Sequence, residues 1–413
     1  MVQKAGQAPV AGRYASLAVV RDGDGYVLGS QRSADFVAVP EIGGQVVLWL
    51  QEGTGVQECT RRAGEFAGEP VDVVGFLDGL TQAGLLAADD EAEAGACQTA
   101  QAGVAAWKRT LGRIVFGPAG LTVQALLAVA AVVAMMSVPR VRPTSTDAIA
   151  TTLPLASLII ISVLGIGLGL AHEFSHVLAA WAAGVSSRIS IGRRMIVIVY
   201  QTDLTRLWSV PRRARIVPLL AGMLFNAATI GILVILELTV LRGASSLVAH
   251  LIRLIVFLNV TAIAFQFLIF MRTDVYALFL LATGCKHLWN TKGAITRKAI
   301  RRATTEDLTL LESVGSREIL WAKIFLGLYV PGVLSTGWYF VVYALPALRK
   351  LTATSLLALL SGGPFTATGA AGGIAFLVTA ASTGYVLWGL ARTLGRACGQ
   401  RPGRRPSDQH SHR

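Results

Sequence analysis

The chain has 413 residues, 53% of them hydrophobic and 15% charged, with a mean hydropathy of +0.58. Charged residues make up about a quarter of an ordinary globular domain, so this composition excludes a soluble enzyme of the usual kind and implies segments that face lipid. The net charge of +13 is uneven: residues 1–105 hold 6 Lys/Arg against 14 Asp/Glu, or −8, leaving +21 on the rest, which fits loops beside anionic lipid and argues against a nucleic-acid stripe.

Residues 13–87 are expected to form a small α+β domain. Leu17 to Val20 and Tyr26 to Leu28 are β-prone runs on either side of Asp22-Gly23-Asp24-Gly25, a hairpin signal, and Phe36 to Val39 is a third short strand ended by Pro40. Beyond it Ile42, Val46, Val47 and Leu50, then Val71, Val74, Leu77 and Leu80, recur at helical spacing, with Thr54 and Asp72 placed to start later helices. Three strands followed by three helices is a winged-helix order. Residues 88–106 are acidic, Ala/Gly-rich and aperiodic, so they read as a linker, and the parts on either side are expected to fold without each other. Cys59, Cys97, Cys285 and Cys398 show neither C-x-x-C spacing nor a disulfide-dense pattern, which points to a reducing compartment. The first 20 residues lack an apolar run behind a basic start, so no cleavable signal peptide is expected and the N-terminus is expected in the cytoplasm.

Residues 107–395 contain six apolar runs near 117–138, 148–183, 216–241, 247–271, 319–345 and 366–391. Each is long enough for a bilayer crossing of about 20 residues. The expected fold is therefore an α-helical polytopic membrane protein of about six transmembrane helices, with the winged-helix domain in front and a basic cytoplasmic tail at 396–413. With the N-terminus inside, cytoplasmic segments hold 31 of the 37 Lys/Arg and outer loops hold five (Arg140, Arg142, Arg242, Arg349, Lys350), while Arg253 lies within a span. Such a bias sets the orientation across the cell membrane. The second run, about 36 residues, is too long for one simple crossing and is expected to bend or to continue below the hydrocarbon. Arg188 to Gly192 and Met195 to Tyr200 are β-prone around Gly192-Arg193-Arg194, either a hairpin at the membrane face or a surface loop resting on lipid.

The second run carries Ala171-His172-Glu173-Phe174-Ser175-His176, an H-E-x-x-H motif. Imidazoles at i and i+4 of a helix project from one face about 5–6 Å apart, close enough to share one tetrahedral zinc, and Glu173 between them is the expected general base. A catalytic zinc keeps three protein ligands and one open position; there it polarises a carbonyl and makes water acidic enough for a carboxylate to deprotonate. Six His and twelve Glu in this length give a chance expectation of roughly 0.003 occurrences. Ionisable groups within a membrane helix also usually mark function. The third ligand should lie at the depth of the pair, toward the cytoplasmic end. Glu237 and His250 fall near the outer face, whereas Asp274 in Met271-Arg272-Thr273-Asp274-Val275-Tyr276 follows the fourth span at the right depth. Asp274 is the expected ligand, with Asp203 and His287 in reserve; its alternative role is a helix cap or a partner of Arg272.

The H-E-x-x-H in a membrane helix, the later Asp opening an apolar segment and the N-in topology together resemble the site-2 protease family of intramembrane zinc metalloproteases. Within it the chain looks like the peptide zinc metalloproteases found beside peptide-modification genes in bacteria. The resemblance covers residues 112 to about 290. In that family the third ligand sits in an Asp-Gly motif, which here reads Asp274-Val275, without the Gly. A Gly-Pro-x-x-Asn motif is matched by Gly222-Met223-Leu224-Phe225-Asn226, with Met for Pro. The likeness implies that Asn226 holds the substrate backbone or the oxyanion; the alternative is an Asn that buttresses helix packing. A second resemblance, over residues 13–87, rests on Tyr26-Val-Leu, Ser33-Ala-Asp-Phe-Val-Ala-Val-Pro40 and Phe76-Leu-Asp-Gly-Leu-Thr-Gln-Ala-Gly-Leu-Leu86, which are similar to the PqqD-like domain. Such domains take up the leader of ribosomally made precursor peptides as an added strand at a sheet edge.

The function expected from these readings is that of a membrane-embedded zinc metalloendopeptidase, with Zn2+ as its cofactor and a precursor or membrane-associated peptide as its substrate. The alternatives are a non-hydrolytic membrane partner in the maturation or export of a modified peptide, and regulated cleavage of a membrane-bound signalling protein.

Overall fold

A computed structural model of the chain describes residues 14, 15, 17–30, 36–86, 104–144, 154–194, 197–241, 246–339, 345–362 and 369–378, with single positions besides between 341 and 388. The expected linker lies almost wholly outside the described residues, as do the tail, Cys97 and Cys398. Cys59 and Cys285 are free and buried.

Asp22-Gly23-Asp24-Gly25 turns the chain as its composition predicts. Gly23 takes φ +64°, open to it because it has no Cβ, and Asp22 pairs with Gly25 across a two-residue turn. Strand β1 (Leu17–Asp22) runs antiparallel to β2 (Gly25–Ser30), and β3 (Phe36–Pro40) pairs with the other side of β2. Three helices follow: α1 (Glu41–Gln51), α2 (Val56–Ala67) and α3 (Val73–Gln82). Leu28, Val46, Val47 and Leu50 form the centre of this domain's core with Cys59, Ala63, Val73 and Leu80. Each large apolar side chain buried here contributes about 1.5–3 kcal/mol. Two sequence expectations shift by a residue or two. Asp72 caps α3 through the Gly75 N–H at 2.8 Å, which sets the helix phase so that Val73 is buried and Val74 is exposed. Thr54 is not a cap, because α2 starts from Gly55.

The remainder is helical. α4 (Ala106–Phe116) and α5 (Pro118–Ser137) meet at Gly117-Pro118, where proline is tolerated because its missing N–H falls in a first turn. α6 (Pro154–Ala182) is followed by the hairpin β4 (Arg188–Arg194) and β5 (Val197–Asp203), then by short 3-10 turns at Thr205–Ser209 and Arg212–Arg215. α7 (Ile216–Leu238), α8 (Ser246–Gln266), a 3-10 turn at Ile269–Met271, α9 (Asp274–Thr283), α10 (Leu288–Ala299), α11 (Thr305–Ser313), α12 (Ser316–Tyr339) and α13 (Leu345–Gly362) complete the order.

Among the described residues five helices are long and apolar enough to cross a membrane: Ala106–Ser137, Ile159–Ala182, Arg212–Leu238, Leu247–Gln266 and Ser316–Trp338. Five such helices mark a membrane protein. Of the expected sixth run, 366–391, the longest described stretch is the short apolar helix Gly369–Val378. The structure departs from the sequence reading in three places. The strands of the hairpin run through Gly192-Arg193-Arg194, and Arg194 pairs with Val197. The fourth helix ends at Gln266, because the Thr273 hydroxyl bonds the Gln266 carbonyl at 2.5 Å and turns the chain into α9. An 18-residue helix, α13, occupies part of the stretch between the last two expected spans, where Arg349 and Lys350 suggested a loop.

α7 is the hub of the bundle and touches α5, α6, α8 and α9. Small residues let it approach closely, as membrane helices must when lipid supplies no hydrophobic drive to association. A Cβ at Gly231 would sit 2.4 Å from the Leu127 carbonyl of α5.

Candidate metal centre

His172 and His176 lie in the last three turns of α6, on the face turned toward α7. They are 7% and 3% exposed, and Glu173 between them is half-buried. Together the three form a buried group that could hold a metal ion. Asp274, the first residue of α9, is brought to the same place from 98 positions away: its Oδ2 lies 3.1 Å from His172 Nε2 and 3.2 Å from His176 Nε2, and the two Nε2 atoms are 3.4 Å apart.

The third contact of His176 decides how this triangle must be read. Its Nδ1 lies 2.7 Å from the Pro218 carbonyl, which can only accept, so the proton sits on Nδ1 and Nε2 of the neutral ring presents a lone pair. That lone pair faces a carboxylate oxygen and a second imidazole nitrogen. A proton shared with Asp274 would satisfy one edge of the triangle, whereas a divalent cation at its centre satisfies all three corners. Ligand atoms about 2.0–2.1 Å from a tetrahedral zinc stand roughly 3.3 Å from one another, which matches the three sides. Two imidazole nitrogens and one carboxylate oxygen are a donor set that could hold a metal ion such as zinc.

Neighbouring residues fix the corners. Gln266, at the end of α8, accepts the Asp274 N–H on Oε1 at 3.0 Å, which orients its amide so that Nε2 lies 3.4 Å from His172 Nε2. The Thr202 hydroxyl of β5 lies 2.8 Å from Glu173 Oε2 and 2.9 Å from the Glu173 carbonyl, so it donates to one or the other and holds the carboxylate beside the histidines. On α7, Pro218, Gly222 and Asn226 repeat every fourth residue and so share one face. Pro218 supplies the carbonyl for His176. A Cβ at Gly222 would be only 2.2 Å from His172 Nε2, so the imidazole packs directly against this backbone. Asn226, one turn further on, is 1% exposed, and its Nδ2 has no hydrogen-bond partner among the described residues.

The remaining expected residues stand elsewhere. Asp203 is exposed at the end of β5, and its Oδ1 accepts from the Thr205 N–H at 3.0 Å and hydroxyl at 2.6 Å. His287 is exposed ahead of α10, where its N–H meets Glu318. Glu237 pairs with Arg253 at 3.4 Å near the far end of α7, about 28 Å along the helix from Pro218. Arg272 adopts φ +57° and stacks over Trp289 at 4.0 Å. Compared against family models, curated proteins and solved structures, the chain gives no match.

Thr202, Pro218 and Gln266 escaped the sequence reading. Gln266 alone had a signal, as an amide at the end of an apolar run. Pro218 acts through its carbonyl and Thr202 through a tertiary contact, and neither leaves a mark in the sequence. The close fit at Gly222 makes a sharp demand. Gly222→Ala is expected to lower metal affinity by about 10–100-fold, the effect of losing the support of a ligand, with little change in helix content. Unchanged affinity in a competition titration would show that the imidazole does not rest on Gly222.

Proposed function

We propose that this chain is a membrane-embedded zinc metallopeptidase of the site-2 protease type, hydrolysing a peptide bond in a precursor or membrane-associated peptide. The observation that carries the reading is the triangle of His172, His176 and Asp274 with Glu173 beside it, buried in a bundle of apolar helices. His172, His176 and Asp274 would hold the ion, which would polarise the scissile carbonyl and lower the pKa of water in its open position. Glu173, oriented by Thr202, would take a proton from the attacking water and pass it to the leaving amine. His176 is kept in its tautomer by the Pro218 carbonyl. Asn226, with its unpartnered Nδ2 on the same face of α7, donates to the substrate backbone or to the oxygen on which charge develops.

The N-terminal domain is read as a PqqD-like winged helix that captures a leader peptide. The sheet order supports this: among the described residues β3 pairs with β2 alone, which leaves main-chain groups on its outer edge for an extended peptide. The excess of basic residues in the segments on the same side as the N-terminus supports a cytoplasmic N-terminus under this reading. A Glu173→Gln variant should retain bound peptide because it keeps the site and loses the base. The expected result is that mass spectrometry of material co-purified with Glu173→Gln finds a defined peptide, absent from wild type, that wild type cleaves at one site. Recovery of an intact transmembrane segment would change the substrate to a signalling protein. A peptide that wild type leaves uncut would make the chain a carrier.

A further inference from the structure

Arg215, the residue before α7, is 2% exposed, and each of its guanidinium nitrogens has a partner. Nε donates to the Val210 carbonyl at 2.9 Å, Nη2 to the Trp208 carbonyl at 3.3 Å and Nη1 to Asp22 Oδ2 at 3.1 Å; the guanidinium also lies 4.6 Å from the centroid of the Trp208 ring. Asp22 is 193 positions away, in the β1–β2 hairpin of the N-terminal domain, and both strands touch the 3-10 turn Thr205–Ser209. The two parts that the linker was expected to leave independent are joined here by a buried ion pair.

The stretch from Thr202 to Pro218 that Arg215 organises is also where the supports of the metal centre converge. Thr202 holds Glu173, and three residues beyond Arg215 the Pro218 carbonyl holds His176 Nδ1. Arg212 donates to the Leu281 and Ala282 carbonyls at the far end of α9, the helix that begins with Asp274. Leu207 is buried against Ala180 of α6, Val185 and Leu219 of α7. A guanidinium buried this fully is tolerable only while a carboxylate compensates it. Without Asp22 it must move toward water, taking with it the Val210 and Trp208 carbonyl contacts and the first turn of α7.

We propose that Asp22 is a positioning residue for the metal centre: by engaging Arg215, the N-terminal domain sets the Thr202–Pro218 stretch and so the geometry at His176 and Glu173. The domain that captures a peptide is then part of the support of the site that acts on it, and displacing it loosens the site. This rests on the metal-binding part of the function proposed above and not on hydrolysis.

The test is a Co2+ titration of metal-stripped full-length protein in detergent, read by affinity and by the visible ligand-field spectrum. Asp22→Ala is expected to weaken Co2+ binding by roughly 3- to 30-fold, the size of coupling carried through a packed network, and to alter the spectrum. Asp22→Glu, which keeps the carboxylate, should restore most of the affinity. Asp24→Ala, an exposed neighbour in the same turn, should match wild type. Wild-type affinity and spectrum in Asp22→Ala would overturn the proposal, as would equal losses in Asp22→Ala and Asp24→Ala, or no rescue by Asp22→Glu. His172→Ala decides the underlying reading separately: if it binds Co2+ like wild type, the metal centre itself is wrong.

Discussion

Purified protein is expected to carry about one zinc ion per chain, and His172→Ala or His176→Ala to carry none. Each substitution removes one corner of a triangle whose sides are 3.1, 3.2 and 3.4 Å, leaving two ligands where a tetrahedral site needs three from the protein. Glu173→Gln should keep the metal, because Glu173 stands beside the triangle and the Gln amide oxygen can still accept from Thr202. Its rate should nonetheless fall by roughly 10²- to 10⁴-fold, the usual contribution of a positioned base, with KM nearly unchanged. Elemental analysis of the three variants and a peptidase assay of the third check both statements. Full zinc occupancy in both histidine variants would remove the site, and undiminished turnover by Glu173→Gln would remove the mechanism.

Asp274→Ala should weaken zinc binding by more than the approximately 100-fold upper range for losing an outer partner, Gln266→Ala by about 10–100-fold, and Asp203→Ala hardly at all. The order follows from the geometry. Asp274 Oδ2 is itself a corner, and Gln266 holds the backbone that carries it. Asp203 is already satisfied by Thr205 in a solvent-exposed turn. A competition titration against a chromophoric chelator ranks the three, and a larger loss for Asp203→Ala than for Asp274→Ala would move the third ligand onto the hairpin.

The pair on α6 could be read from the chain because it is a local feature: two histidines four apart on an apolar helix share a face whatever the rest of the fold does. Asp274 needed a depth argument, since spans of known length bring certain distant residues to one level of the bilayer, and the structure does bring it there. That argument preferred Asp274 over Glu237, which pairs with Arg253 near the far end of α7. It could not see that α8 ends at Gln266, whose Oε1 accepts the Asp274 N–H, because that end is set by the Thr273 hydroxyl and not by hydropathy.

Strand and helix order in the first 86 residues was legible for the same local reason. Asp-Gly turns, β-branched runs and helical spacing act over a few residues, and only the phase of α3 needed the Asp72 cap to settle it. The membrane character also lay in the composition, because no packing arrangement can hide so many apolar residues in a chain this poor in charge. Tertiary structure alone decided how the parts meet. The sequence shows an aspartate in a turn and an arginine before a span, each of which would be solvated in isolation. Packing of the β1–β2 hairpin against Thr205–Ser209 buries them together, and burial makes their pairing obligatory. Likewise Pro218 and Gly222 act through a carbonyl and a missing side chain. Those groups become specific only once α7 lies against the histidines of α6, because every residue has a carbonyl and only its neighbours in space give one a role.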